Sequence, residues 1–233
     1  MLNLAEEIKF AELREKCREL KVMTPPEVMI SLKVTEKNKT IFEDVQRGHS
    51  WTRNFYNFMF SIATNVCGDG GSSFGAGYIS IKDTNGAIAA LDTHLIYAHD
   101  AGFGNTATTD LFGIVVGTGD TAFSTAQFKL ATGIRAGNSA GMFAHQEMVF
   151  NTPDTYNAGT KLWTATMTRV FNNNSGGAIT VKESGLIWMG NIYSNSNRYT
   201  LMERSVLSPT INVPDGAQLT VSYAISTSFA AID

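Results

Sequence analysis

From residue 68 onward the chain is a series of short strand-like runs separated by turn signals. This pattern constrains the possible folds more strongly than any other feature of the sequence. Runs rich in Val, Ile, Thr and aromatic residues follow one another every 8–15 residues along the sequence. Asn85-Gly86, the tract 174–177 and Pro214-Asp215-Gly216 mark tight turns between them. No alternation of strands with helices occurs, so the pattern favours an antiparallel sandwich over a parallel sheet.

The first 24 residues differ from the rest of the chain in their pattern of apolar residues, which predicts an amphipathic helix over 3–21. Its apolar residues recur at helical spacing, and Pro25-Pro26 ends the pattern. The apolar residues are Leu4, Ile8, Phe10, Leu13, Cys17 and Leu20. Such a stripe must lie on something. It can pack on its own domain or anchor the chain to another subunit, and the sequence leaves both open.

Two more elements precede the strand-rich part. Residues 28–35 and 40–46 alternate apolar and polar and predict a β-hairpin, and 49–66 predicts a short internal helix. We therefore predict a mainly β chain: an antiparallel, jelly-roll-like β-sandwich with an N-terminal helix. Its expected division is residues 1–24 as a helix and 25–233 as the sandwich domain.

Composition excludes several classes of function. Only 17% of the residues are charged and the net charge is −3, without the basic stripe of a nucleic-acid binder. No run of apolar residues approaches the length of a membrane span, and the N-terminus does not resemble a signal peptide. We therefore expect synthesis in the cytoplasm, and neither nucleic acid nor membrane as a partner.

Residues with catalytic potential do not form a recognisable motif. His94, His99, Asp92 and Asp100 cluster, but on a strand the two histidines would point to opposite faces. The glycine-rich strings 67–77 and 115–120 lack the context of a phosphate-binding loop. We expect no enzyme activity, no metal and no cofactor, and we interpret the charges of the strands as structural. Glu183 is predicted to pair with Arg169 across a hairpin, and Glu203 and Arg204 to pair with neighbours.

Aromatic residues near the polar segment 190–200 suggest a contact surface. A sugar platform could draw on Trp51, Trp163, Trp188, Tyr193 and Tyr199, although strand aromatics usually belong to the core. The residues assigned to a sugar- or receptor-binding module are Trp188, Tyr193 and Tyr199. With Leu4, Ile8, Leu13 and Leu20 of the N-terminal helix, these residues are the predicted partner contacts.

Four segments resemble structural proteins of tailed bacteriophages, and they occur in the same order. They are RGHSWTRNFYNFMF at 47–60, IVVGTGDTAFSTAQFKLATGI at 114–134, RVFNNNSGGAITVKESGLI at 169–187 and LMERSVLSPTINVPDGAQLTVSYAI at 201–225. The resemblance implies a virion protein with a β-sandwich core in a head-decorating, connector or tail position. It carries over no functional residues, and the N-terminal helix lies outside it.

The predicted function is thus a non-enzymatic virion subunit that assembles with copies of itself and with other virion proteins. Viral assemblies are symmetric, so a self-complementary or ring-forming interface is expected. The alternative is a carbohydrate- or receptor-binding module, whose partner would be a glycan or receptor.

Overall fold

The computed structural model describes residues 4–48, 51–64, 80–90, 102–104, 106–192 and 196–228. The helices are α1 (Leu4–Glu19) and α2 (Arg53–Thr64). The strands are β1 (Glu27–Glu36), β2 (Lys39–Arg47), β3 (Ser80–Lys82), β4 (Ile88–Ala90), β5 (Gly113–Gly117), β6 (Ala144–His145), β7 (Val149–Asn157), β8 (Leu162–Asn172), β9 (Ile179–Ile192), β10 (Ser196–Val213) and β11 (Gln218–Ser228).

Two antiparallel sheets face each other. The large sheet has the order β2-β1-β11-β8-β6, with β7 also paired to β8, and the small sheet has the order β10-β9-β5. Strands β3 and β4 form a separate hairpin. The predicted fold class, a mainly β antiparallel sandwich with an N-terminal and a short internal helix, is confirmed.

The core lies between the sheets because alternate residues of each strand point inward. On β1, Ile30 and Leu32 are buried, and Val221 and Tyr223 of β11 lie beside them. Residues of β5 and β9 complete this core from the small sheet. A second cluster of Val115, Leu130, Ile187 and Leu201 lies apart from the main core. The chain therefore buries both faces of the small sheet.

Several predicted turns are confirmed. Strand β1 pairs with β2 as a hairpin, and β3 pairs with β4 around Gly86, whose φ of 90° suits glycine. Pro214-Asp215-Gly216 links β10 to β11, which belong to different sheets. The helix predicted over 49–66 is present as α2 within the described residues.

The hairpin predicted over 169–187 is wrong. Strand β8 pairs with β11, β6 and β7, whereas β9 pairs with β10 and β5, so the turn crosses from one sheet to the other. The fully buried Asn173 shapes this crossing because its amide donates to the carbonyls of Gly177 and Val213, both at 2.8 Å. A polar tract with two glycines is equally compatible with a hairpin and with a sheet crossing, so local sequence cannot distinguish them.

Candidate functional site

Three of the four resembling segments meet at one buried ion pair. Glu183 of β9 and Arg204 of β10 lie 2.6 Å apart between Oε2 and Nε, and both side chains are fully buried. A buried charge is costly unless it is paired and hydrogen-bonded, and here both conditions hold. The third segment supplies the remaining hydrogen bonds.

Residues 118–132, which we call the covering segment, lie over this pair. Backbone N–H groups of Gly119, Ala131 and Thr132 donate to the Glu183 carboxylate over 2.7–3.1 Å. Arg204 donates to the carbonyl of Thr121 at 3.0 Å, and to the side chains of Thr121 and Gln127. The pair therefore fastens the covering segment to the small sheet.

The glycines of the VVGTGDT string are explained by this packing. A Cβ on Gly117 or Gly119 would lie 2.5 Å from Oε1 of Glu183. A Cβ on Gly117 would also lie 2.5 Å from the carbonyl oxygen of Thr132, which is backbone. Because these glycines have no Cβ, the Glu183 carboxylate can lie close to the backbone of the string. The VVGTGDT string therefore has a structural role, which is to hold the covering segment against the small sheet.

The predicted Glu183–Arg169 pair is therefore wrong. The two residues lie on strands of different sheets, and Glu183 pairs with Arg204 instead. Of the second prediction, Arg204 has a carboxylate partner from the neighbouring strand, while Glu203 accepts hydrogen bonds from hydroxyl groups.

Glu203 belongs to a buried polar cluster between the sheets. Its carboxylate accepts from the Tyr223 hydroxyl at 2.9 Å and from the Ser205 hydroxyl. The Tyr223 hydroxyl also lies 2.7 Å from Oγ of Ser184. Burial raises the pKa of Tyr223 well above its usual value, and the nearby Glu203 charge acts in the same direction. The phenol therefore stays protonated and links the two sheets.

Arg169 is the second fully buried arginine, and carbonyl groups surround it. Its guanidinium donates to the backbone oxygens of Thr109, Phe112, Ile114 and Gln146 over 2.5–3.3 Å. Burial lowers its pKa to about 10, so it remains charged at neutral pH. The Arg169 side chain of β8 thereby holds two segments in place: the residues that lead into β5, and the residues between β6 and β7.

His145 lies beside Arg169 and predicts a pH dependence of stability. Burial, and then the charge of Arg169, lower its pKa from 6.5 to about 4. The unfolded chain takes up this proton near pH 6.5 and the folded chain only near pH 4. The stability contribution is thus complete above pH 6.5 and falls as the pH drops to 4, by about 3 kcal/mol at most.

The free energy of unfolding, measured by urea denaturation between pH 7 and 5, tests this prediction. We expect His145→Gln to flatten the slope in that window, because glutamine can still donate to the Thr109 carbonyl that Nδ1 contacts at 3.2 Å but does not titrate. An unchanged slope in the variant would assign the pH dependence to other groups.

An open cavity of about 450 Å³ lies at the second apolar cluster. Its apolar lining includes Val115, Leu130 and Ile187, and its charged lining residues are Asp110, Lys129 and Arg135. Arg135 is already engaged with Asp110 at 2.8 Å.

Helix α1 docks on the large sheet through charges. Arg47 of β2 pairs with Glu7 and Glu27, both at 2.6 Å, and Arg14 pairs with Glu27 at 2.8 Å. The Arg47 guanidinium also lies 3.9 Å from the centre of the Phe10 ring. The hydrogen bond from Arg47 lowers the pKa of Glu7. The helix thus packs on its own domain, the first of the two placements that the sequence left open, and it does so by a largely polar face and not by its apolar residues alone.

The predicted contact residues fall into two groups. Leu4, Ile8, Leu13 and Leu20 are all exposed, from 41% to 76%. Trp188, however, is only 5% exposed and packs against Phe58, with ring centres 5.0 Å apart. Tyr199 is half-buried and stacks on Phe112, and Tyr193 lies outside the described residues. The proposed aromatic platform thus loses Trp188 to the core.

An exposed aromatic pair lies at the β7–β8 turn, and sequence reasoning named Trp163 among the platform aromatics but missed its partner Tyr156. Tyr156 and Trp163 have exposed rings with centres 6.2 Å apart. Trp163 shares its alternation with Met167 and Phe171, which are buried. A period of two shows which face of a strand a residue occupies, but not where along the strand the core ends.

Across the described part of the chain, no group of three His, Cys, Asp or Glu residues is placed to hold a metal ion. The His94 and His99 cluster falls outside those residues. Neither described helix has the length and apolarity needed to span a bilayer.

Comparison with known proteins gave no match to a family model, a curated protein or a solved structure.

Proposed function

We propose that this chain is a non-enzymatic structural subunit of a tailed-phage virion, located on the capsid as an accessory protein or in the neck or tail. It would act by assembling with copies of itself and with other virion proteins. The observation that carries the proposal is the exposure of four large apolar residues on α1, whose inner face forms ion pairs with the domain. Leu4 and Ile8 lie on one flank of the helix, and Leu13 and Leu20 lie on the other. Exposed apolar surface of this kind marks protein interaction sites.

Two further features support this function. Three of the segments that resemble phage structural proteins contribute Glu183, Arg204 and the covering segment, which are joined by an ion pair and hydrogen bonds. These charged groups hold the sandwich together, and such a structural role suits a mechanical function. The low charge content of the chain also suits a surface that is largely covered by neighbours.

Immunogold electron microscopy on purified particles, with antibody raised to this chain, tests the proposal. Label over the head supports an accessory capsid role, and label at the neck or tail supports a connector or tail role. Particles that bind a control antibody to the major shell protein but not this antibody would overturn the virion assignment.

The exposed Tyr156–Trp163 pair favours a second candidate, a carbohydrate- or receptor-binding module. Exposed aromatic rings offer flat apolar faces to a sugar ring. A glycan array with the intact chain and with Trp163→Ala separates the candidates. Binding that the substitution abolishes would favour this module, and absence of binding would leave the assembly role.

A further inference from the structure

The two long faces of α1 are built differently. Its inner face has Glu7, Phe10, Arg14 and Cys17, at spacings of three, four and three residues. The first three make the contacts with the domain described above, and Cys17 is buried. Residues with the same spacing but two positions later lie on nearly the opposite side of a helix. These outer residues are Lys9, Glu12, Lys16 and Glu19, and all four are exposed.

The charges of this outer face alternate in sign along the helix. Lys9 is basic, Glu12 acidic, Lys16 basic and Glu19 acidic. Within residues 4–48 and the other described ranges, none of the four side chains takes part in an ion pair. Read in the opposite direction, the same row presents the opposite sign at every position, so the row is complementary to its own reversed copy.

We propose that a second copy of this chain packs its α1 antiparallel against this outer face, about a twofold axis. Lys9 then faces Glu19 of the other copy, and Glu12 faces Lys16. The proposal rests on the assembly role proposed above and names the partner of that surface. Isologous contacts of this kind require a self-complementary patch, which the charge row supplies.

Apolar residues border the charge row and provide burial. Leu13 and Leu20 follow Lys9 and Lys16 by four residues, so they lie beside the row, on one flank. They are 41% and 72% exposed. In an antiparallel twofold pair the same flank of each helix meets its counterpart, so Leu13 of one copy approaches Leu13 of the other. Leu20 comes level with residue 8 of the partner helix and extends the contact along the same flank. A parallel pair would instead place each charge against an identical charge, which is unfavourable.

The interface is small because α1 has only 16 residues. We therefore expect a weak dimer in solution, with dissociation in the micromolar range, that repetition on a particle would strengthen. Sedimentation velocity of the intact chain over a range of concentrations measures this association directly.

Charge variants test the register. The acidic variant has Lys9→Glu and Lys16→Glu, and the basic variant has Glu12→Lys and Glu19→Lys. Each alone should dimerise at least about tenfold more weakly than the original chain, and an equimolar mixture of the two should regain the association. Lys33→Glu with Lys39→Glu is the control, since it makes the same change in net charge on exposed β1 and β2 residues.

The apolar flank has its own test. Leu13→Ser with Leu20→Ser should abolish the dimer, whereas Val149→Ser, at an exposed position of β7, should leave it intact. A monomer at all concentrations, or two charge variants that fail to associate when mixed, would overturn the proposal. If particles carry the immunogold label but the chain is a monomer, only the self-pairing is overturned. If the chain dimerises but is absent from particles, only the virion role is overturned.

Discussion

Replacing Arg204 with Met is expected to lower the free energy of unfolding by about 3–5 kcal/mol, because it leaves the Glu183 carboxylate buried without its cation. Both side chains of this pair are fully buried. The midpoint of urea denaturation, at an unchanged slope, measures the loss. The substitution also removes the donor to the Thr121 carbonyl, so the covering segment should become more accessible to protease.

Lys182 provides the matched control for Arg204, because it is the residue before Glu183, the partner of Arg204. Lys182 pairs with Asp120 at 2.8 Å, and this exposed pair joins the same strand to the same segment. Lys182→Met should therefore change stability far less. Adding Glu183→Gln to Arg204→Met should recover only part of the loss. No buried charge is then left, but the amide nitrogen of glutamine cannot accept the hydrogen bonds that both carboxylate oxygens accept. An Arg204→Met chain as stable as the Lys182→Met chain would contradict this account.

Replacing Arg169 with Met is expected to cost about 3 kcal/mol or more, the second large effect. The guanidinium donates to four buried or half-buried backbone carbonyls, and methionine can satisfy none of them. Thermal and urea denaturation of the variant measure this loss, and hydrogen exchange should show faster exchange in β5 and β7.

Arg135 provides the comparison for Arg169. Its side chain is 78% exposed and pairs with Asp110 at 2.8 Å. Arg135→Met should cost less than about 1 kcal/mol, because an exposed ion pair contributes little. Equal losses in the two variants would show that the carbonyl contacts of Arg169 do not stabilise the fold as proposed.

The fold class could be predicted because it depends on local signals. Alternating residues in β1 and β11, the Asn85-Gly86 turn and the prolines after α1 each act within a few residues. The sheet in which each strand lies depends on distant pairings such as β1 with β11, which no local pattern specifies. For that reason the crossing between β8 and β9 was predicted as a hairpin.

The charged residues show the same limit more sharply. Glu183, Arg204 and Arg169 were recognised as structural, but the partners of Glu183 come from residues 119, 131 and 132, far along the chain. On α1, helical periodicity placed Leu4, Ile8, Phe10, Leu13, Cys17 and Leu20 on or near one stripe. The structure divides this stripe: Phe10 and Cys17 lie toward the domain, and the four aliphatic residues are exposed on the two flanks. The sequence could not show that Arg47 would orient the helix in this way.

Quantitative mass spectrometry of particles purified through a density gradient tests whether this chain is a virion subunit. We expect the chain to co-purify with the major shell protein at a constant copy number per particle across gradient fractions. A chain that remains in the soluble fraction, or whose ratio to the shell protein falls with each purification step, would contradict the assignment as a virion subunit.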